Sequence, residues 1–325
     1  MAAENPSVAV LLPTFNGARF VETQIRSLAR NATPFTVHWL DDHSTDDTRE
    51  TVRRCARDAG VQIKEWHHEQ RQGIPGAFFE LLKCAAADIY LFCDQDDIWQ
   101  PGKIDATVTD LLPDLASPVL SFSDPLVFNE GMPEELRRLS EITSVKGPAA
   151  LRKSSMFVIC PAIGHTIGFT RPLREIFLRH EPIARKYAAG QDTWFYLIAD
   201  AAGTCRLLRD VPTTLYRLHG NNAYGNFFRL VGWRSFVHAA RRWRIQQALR
   251  RWVSRQAEGF CLASKTLPDG PQLERSLALA RLMLTVDRRQ SLQEIIRLVQ
   301  RRALPPGRDF TLWFAATCLL SDARK

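Results

Sequence analysis

No apolar run in this 325-residue chain approaches the roughly 18 residues that a membrane-spanning helix requires. The seven cysteines include no Cys-x-x-Cys pair, which excludes the commonest metal and redox motifs. Several lie inside apolar runs, so they are expected to behave as small buried hydrophobes in a reducing compartment. Residues 1–7 carry neither the basic nor the apolar part of an export signal, and a cytosolic protein is expected. Internal repeats and low-complexity segments are also missing. Acids are absent from residues 226–257, although that stretch holds eight arginines and three tryptophans.

That last absence belongs to a wider asymmetry. Residues 1–225 carry 24 Lys+Arg against 28 Asp+Glu, whereas residues 226–325 carry 19 against 7, giving the net charge of +8. A mildly acidic body followed by a strongly basic tail points to two separate tasks. Hydrophobic content of 45% and charged content of 24% are those of an ordinary globular protein with ample core.

What the body does contain is a series of short apolar runs, each ending in a turn or a cluster of acids. Val8–Leu12 is a buried strand that breaks at Pro13-Thr14-Phe15-Asn16-Gly17, and a helix follows with Phe20, Ile25 and Leu28 on its apolar side. Thr36–Leu40 is a second strand, ending in Asp41-Asp42-His43-Ser44-Thr45-Asp46-Asp47, with Ser44 or Thr45 expected to cap the next helix. A third strand near Val61–Trp66 leads through Gln72-Gly73-Ile74-Pro75-Gly76 into a helix expected to reach Ala87. Ile89–Cys93 is a fourth strand, and three carboxylates, Asp94, Asp96 and Asp97, crowd its carboxyl end. Pro101 is expected at the first position of a helix running to about Leu112, with one further strand within Pro118–Phe128. Alternating strands and helices make the first 130 residues a doubly wound, mostly parallel α/β unit.

Further along, Asn129–Ser155 reads as a polar loop with a short helix, and Gly164–Thr170 as a strand before a helix over Pro172–His180. Gly190-Gln191-Asp192-Thr193-Trp194 opens another helix, in which Asp192 has a structural role available as N-cap. Leu207–Asp210 and Thr213–Leu218 read as a closing hairpin before His219-Gly220-Asn221-Asn222. A lone histidine in such a loop is more often a surface residue than a ligand.

Clustered carboxylates repel one another, so Asp94, Asp96 and Asp97 imply either a cation or a solvated acidic turn before a helix. Their place at the carboxyl end of a buried strand, where open α/β sheets hold ligands, favours a hard divalent ion shared with phosphates.

Four segments in this order resemble the family 2 glycosyltransferases, and among them the rhamnosyltransferase-like enzymes of bacterial surface-polysaccharide synthesis. The segments are Pro13–Gly17, Asp41–Asp47, Asp94-Gln95-Asp96-Asp97-Ile98-Trp99-Gln100-Pro101-Gly102-Lys103-Ile104, and Tyr216–Asn222. The resemblance implies a GT-A fold over residues 1–225, with a nucleotide-binding half to about 130, an acceptor half beyond it, and residues 226–325 as a basic helical extension. It also implies inverting transfer from a nucleoside-diphosphate sugar, dTDP-rhamnose or a UDP-sugar, to a saccharide or lipid-linked saccharide hydroxyl. Pro13, Thr14, Phe15, Asn16, Asp42, Gly73, Asp94 and Gln95 would line the donor nucleotide, with Asp42 meeting a uracil or thymine. Asp94, Asp96 and His219 would hold a divalent ion, Mn or Mg. Gly164, His165, Thr166, Gln191 and Trp194 would border the acceptor and donor sugar. Asp192 would be the general base, though Gln191 stands where the family usually has Glu, Asp or His.

The basic tail admits three readings. Arginine and tryptophan interleaved at helical spacing suit an anionic membrane surface. They equally suit helices packed on the body with their guanidinium groups in water. Nucleic-acid binding ranks last, since no nucleic-acid module accompanies the stretch. Two rival functions remain: an inactive relative that binds a membrane or partner, and nucleotidyl transfer. The second ordinarily uses a glycine-rich basic phosphate loop after the first strand, and Pro13–Gly17 is not one.

Overall fold

The computed structural model describes residues 5–130, 132–142, 160, 162–188, 190–219, 251, 253–269 and 272–287. Its organising strands are β1 (Val8–Thr14) and β4 (Ile89–Phe92), in which every residue is buried. They pair in parallel, Val8 opposite Ile89 and Leu11 opposite Phe92. Because side chains alternate along a strand, the two faces feed different cores. Ala9, Leu11, Tyr90 and Phe92 join one cluster; Val8, Val10, Leu12, Ile89 and Leu91 join the other. Apolar residues at every position are therefore required, which is why these runs are unbroken in the sequence.

The sheet is completed by β2 (Thr36–Asp41), β3 (Ile63–Trp66), β6 (Val119–Ser123), β9 (Gly168–Thr170) and β10 (Thr204–Leu208). Its seven strands run β10-β6-β9-β4-β1-β2-β3, all parallel to their neighbours except β9, which is antiparallel to β4 and β6. Helices α1 (Ala18–Leu28), α2 (Thr48–Ala59) and α4 (Lys103–Leu111) bury residues in the second cluster. Helices α3 (Gly73–Cys84), α6 (Arg171–Tyr187) and α7 (Gln191–Ala202) bury theirs in the first. The expected doubly wound, mostly parallel architecture is what forms.

A second sheet, of order β5-β11-β7-β8, is built from β5 (Ile98–Trp99), β7 (Leu126–Asn129), β8 (Met132–Arg138) and β11 (Thr214–Leu218). Several local expectations change here. The single strand of Pro118–Phe128 is two, β6 and β7, divided between the two sheets at Asp124-Pro125. The stretch read as a loop from Asn129 is first strand β8, antiparallel to β7, and then the short helix α5 (Leu139–Ile142); residues 143–155 lie outside the described set. The predicted closing hairpin does not exist, because β10 pairs with β6 in the large sheet while β11 pairs with β7 and β5 in the small one. Residues 164–166 form a 3-10 turn, so only Gly168–Thr170 is strand.

Helix ends also moved. Neither Ser44 nor Thr45 caps α2: the Ser44 hydroxyl donates to Asp41 and the Thr45 N–H to Asn16, while Asp46 accepts the Thr48 N–H at 3.1 Å. Helix α3 stops at Cys84 because Ala85 turns extended. Pro101 precedes α4 by a turn, with Gly102 at the left-handed cap position (φ 80°).

Beyond residue 250, a helix over residues 253–263 (α8) and α9 (Leu273–Asp287) lie against α6 and α7. Val253, Ala257, Phe260 and Ala263 enter the same apolar cluster as Trp194 and Phe195. Gly259 permits the close approach: a Cβ there would stand 2.5 Å from that of Tyr187. His180 Nε2 meets Thr266 Oγ1 at 2.9 Å, and the Ser276 hydroxyl donates to Asp200 at 3.0 Å. The later part of the basic tail is thus integral to the core. Among the described residues no helix is long and apolar enough to cross a membrane.

Candidate active site at the carboxyl ends of the strands

The parallel strands β1, β2 and β4 end side by side, so the turns that follow them share one edge of the sheet. The first turn is tied down by its neighbours. Thr14 is buried; its hydroxyl donates to Asp41 at 3.0 Å and accepts the Trp39 indole N–H at 2.9 Å. The Asn16 N–H donates to Ser44 Oγ, and its side-chain oxygen accepts the Thr45 N–H. Thr14 and Asn16 therefore use these groups to hold the turn internally.

Asp42 is 4% exposed and accepts the backbone N–H groups of Gln72 (2.6 Å) and Gly73 (2.8 Å), one on each oxygen. It thereby docks the loop that opens α3, in which Gly73 is left-handed (φ 63°). Arg71 in the same loop lays its guanidinium 3.6 Å from the centre of the Phe15 ring, with Nε 3.7 Å from Asp42. No sequence signal had marked Arg71; its relevance comes only from the loop being folded back onto Asp42.

After β4 the chain turns through Asp94-Gln95-Asp96-Asp97. Gln95 faces the Phe15 backbone, bonded to both its N–H and its carbonyl. Asp96 Oδ2 lies 2.8 Å from His219 Nε2, so the loop after β11 does reach the acidic turn. The His219 ring stacks on Phe20 of α1 at 4.6 Å. Asp97 is fully buried, accepts the Arg217 N–H at 3.1 Å, and has its other oxygen 3.6 Å from His165 Nδ1. His165, also fully buried, packs on Tyr216. Lys103 lies beneath, 2% exposed, its ammonium 3.5 Å from the centre of the Trp99 ring.

The electrostatics show an acidic pocket short of counter-charge. Burial, with Asp96 and Asp192 nearby, pushes the Asp94 carboxyl up to about 8. Burial, with Asp96 and Asp94 nearby, pushes Asp97 well above the carboxylate range. Burial lowers Lys103 to about 7 and His165 to about 3, which leaves His165 a neutral imidazole. Asp94, Asp97 and His165 offer ligand atoms within 4.8 Å of one another, and Asp97 Oδ2 and both His165 nitrogens have no hydrogen-bond partner among the described residues. Oxygen donors plus one neutral imidazole, with unmet carboxylate charge, fit a divalent cation.

Asp192 faces this pocket from the other half of the chain. Gly190 caps α7, so Asp192 is inside the first turn and not the N-cap, where a negative charge is still favoured by the helix dipole. It accepts the Thr193 N–H at 2.7 Å and also the Gly164 N–H; burial raises its carboxyl pKa. Gln191 is buried against Gly164. Thr166 is occupied by a bond to the Ile163 carbonyl. Trp194 is not brought to the site: it is fully buried in the cluster shared with α8.

One pH effect follows directly. In the metal-free protein, Asp94 binds its proton more tightly folded than unfolded, so its contribution to stability falls as pH rises from about 4 to about 8. The stability difference between wild type and Asp94→Asn should therefore swing in favour of the variant across that window, measured by urea unfolding in EDTA.

Residues 9–123 match the family model Glycosyl transferase family 2. An uncharacterized glycosyltransferase of Nostoc sp. is 30% identical over 102 residues, 31% of this chain and 31% of that protein. The UDP-Glc:alpha-D-GlcNAc-diphosphoundecaprenol beta-1,3-glucosyltransferase WfgD of Escherichia coli is 28% identical over 109 residues, 32% of this chain and 41% of that one. The aligned region thus spans less than half the length of these curated relatives. Across 99% of this chain and 87% of its own, the mannosyltransferase PcManGT of Pyrobaculum calidifontis, solved with GDP-Man and Mn2+, superposes with a TM-score of 0.55 at 18% identity. The fold is that of the GT-A glycosyltransferases.

Proposed function

We propose that the chain is a metal-dependent, inverting glycosyltransferase that moves a sugar from dTDP-rhamnose or a UDP-sugar to a hydroxyl of a saccharide or lipid-linked saccharide in cell-surface polysaccharide synthesis. The observation that carries this reading is the convergence of Asp94, Asp96 and Asp192, from distant parts of the sequence, on one pocket beside Phe15 and Asp42. The WfgD relative, whose acceptor is an undecaprenol-linked sugar by name, supports the lipid-linked class.

Phe15 and Arg71 offer a stacking surface for the base, and Asp42 an acceptor for its ring N–H. Asp94 and Asp96 with His219 are assigned to the cation, since Asp96 and His219 already stand 2.8 Å apart at a partly open edge. Asp97 and His165, both fully buried, bring ligand atoms within 4.8 Å of one of Asp94 and are the alternative ligand pair. A divalent cation there supplies positive charge against the diphosphate as it departs. Asp192 takes the proton of the acceptor hydroxyl as its oxygen bonds to the anomeric carbon, and the carbon–oxygen bond to the diphosphate breaks with its electron pair. Attack from the face opposite the diphosphate inverts the anomeric configuration. The raised pKa of Asp192 makes it a stronger base for this step.

The test is diphosphate release from a panel of nucleotide sugars with a lipid-linked saccharide acceptor. Acceptor-dependent release from one or two sugars, abolished by EDTA, is the expected result; acceptor-independent release alone would contradict transfer.

The arginine- and tryptophan-rich part of residues 226–257 is proposed to lie on the anionic inner face of the cytoplasmic membrane, bringing the site to a lipid-linked acceptor. From Val253 onward the helix packs on the core, so truncation would expose Trp194 and Phe195. A gentler variant is apt: replacing Arg229, Arg234, Arg241, Arg242 and Arg244 by Gln should remove most sedimentation with phosphatidylglycerol vesicles at low salt. Each basic group near such a surface contributes about 1 kcal/mol. Unchanged sedimentation of the folded variant would eliminate the membrane role.

A further inference from the structure

We infer that Gln95 is a positioning residue: its amide locks the Phe15 backbone to the acidic turn, fixing the nucleobase surface relative to Asp94 and Asp96. The inference rests on the donor-site reading above and deepens it. Resemblance placed Gln95 among residues that touch the donor, but the geometry gives it another partner. Its Oε1 accepts the Phe15 N–H at 2.9 Å, and its Nε2 donates to the Phe15 carbonyl at 3.1 Å, across 80 residues of sequence. A primary amide is the side-chain group that can pair with both halves of one backbone unit in this way. Glutamate at 95 would set an acceptor against the Phe15 carbonyl, and alanine would reach neither group.

Gly17 provides independent support. A Cβ at that position would stand 2.3 Å from Gln95 Oε1 and 2.6 Å from its Cδ. The turn is therefore shaped around the Gln95 side chain, and Gly17 is its other wall. Around this clamp, Asn16 and Gly17 donate their N–H groups to Ser44 and Thr48. The Phe15 ring, covered by Arg71 at 3.6 Å, is thus held by a clamp whose fixed end lies between the two carboxylates assigned to the cation.

The positioning role predicts that Gln95 acts through Phe15. UDP and dTDP affinities at saturating Mn2+ would be measured by calorimetry for wild type, Gln95→Ala, Gln95→Glu, Phe15→Ala and the Phe15→Ala/Gln95→Ala double variant. Mn2+ affinity without nucleotide would be read in parallel. Gln95→Ala and Gln95→Glu are expected to weaken nucleotide binding about tenfold, the scale of one or two lost hydrogen bonds. Mn2+ affinity of Gln95→Ala should stay within about twofold of wild type. Once the ring is gone, removing Gln95 should cost little more, so the two single effects are non-additive. In the substrate assay the loss should fall mainly on KM. Additive losses in the double variant would show that Gln95 touches the donor directly and overturn the inference. Wild-type nucleotide affinity in Gln95→Ala would overturn it too. A wild type that binds neither nucleotide would instead sink the donor-site reading itself.

Discussion

Replacing Asp192 by asparagine is expected to lower transfer by about 10²- to 10⁴-fold, the range for a lost general base, while leaving nucleotide and metal binding within about twofold. Asparagine keeps the size and can still accept the N–H groups of Thr193 and Gly164, so the first turn of α7 should survive. What it lacks is a basic oxygen for the acceptor proton. The split matters because Asp192 also acts electrostatically on Asp94, whose carboxyl it helps to push up to about 8. Removing that negative charge should lower the Asp94 pKa, so metal binding at neutral pH should not suffer. A variant that lost nucleotide binding and transfer equally would mean that Asp192 is part of the donor site.

The second large effect is expected at Asp96. Asp96→Ala removes one proposed ligand and the oxygen that lies 2.8 Å from His219 Nε2. Nucleotide affinity in Mn2+ should fall about 100-fold or more, since weakening only the outer shell of a metal site costs 10–100-fold. In EDTA, wild type and variant should converge. Asp97→Asn provides the contrast. Asp97 is wholly buried, and asparagine keeps an acceptor for the Arg217 N–H, so metal and nucleotide binding should stay close to wild type. Should Asp97→Asn abolish metal binding while Asp96→Ala retains it, the cation belongs with Asp94, Asp97 and His165.

How much of this was legible in the sequence depends on where each residue's partners lie. Buried parallel strands such as Val8–Leu12 and Ile89–Cys93 announce themselves, because both faces must be apolar and no polar break is tolerated. Strand β8, Met-Pro-Glu-Glu-Leu-Arg-Arg, gave no such signal: it is the edge strand of the small sheet and Leu136 is substantially exposed. The false hairpin had another cause. Strands β10 and β11 are neighbours in sequence, but their pairing partners, β6 and β7, lie more than 80 residues upstream, and local pattern cannot report that.

The candidate site divides along the same line. Acids at strand ends were visible because their crowding is a local fact, and their convergence with Asp192 and His219 was implied by resemblance. Thr14, Asn16 and Gln95 looked like donor contacts, yet each spends its polar atoms on a neighbouring turn. Trp194 follows the candidate base by two residues and still points into the core shared with α8. Arg71 carries no local signal, because only the Asp42 clamp on Gln72 and Gly73 brings it over Phe15.

The central claim is that the acidic edge of the sheet holds a cation and a nucleoside diphosphate together. It is tested most directly by a thermal-shift panel of UDP, dTDP, GDP, CDP and ADP, each with Mn2+, Mg2+ or EDTA. The account predicts stabilisation by UDP, dTDP or both, present with metal and lost with EDTA, and absent in Asp96→Ala. A wild-type protein that melts cooperatively but is stabilised by none of the five, with either metal, would contradict it.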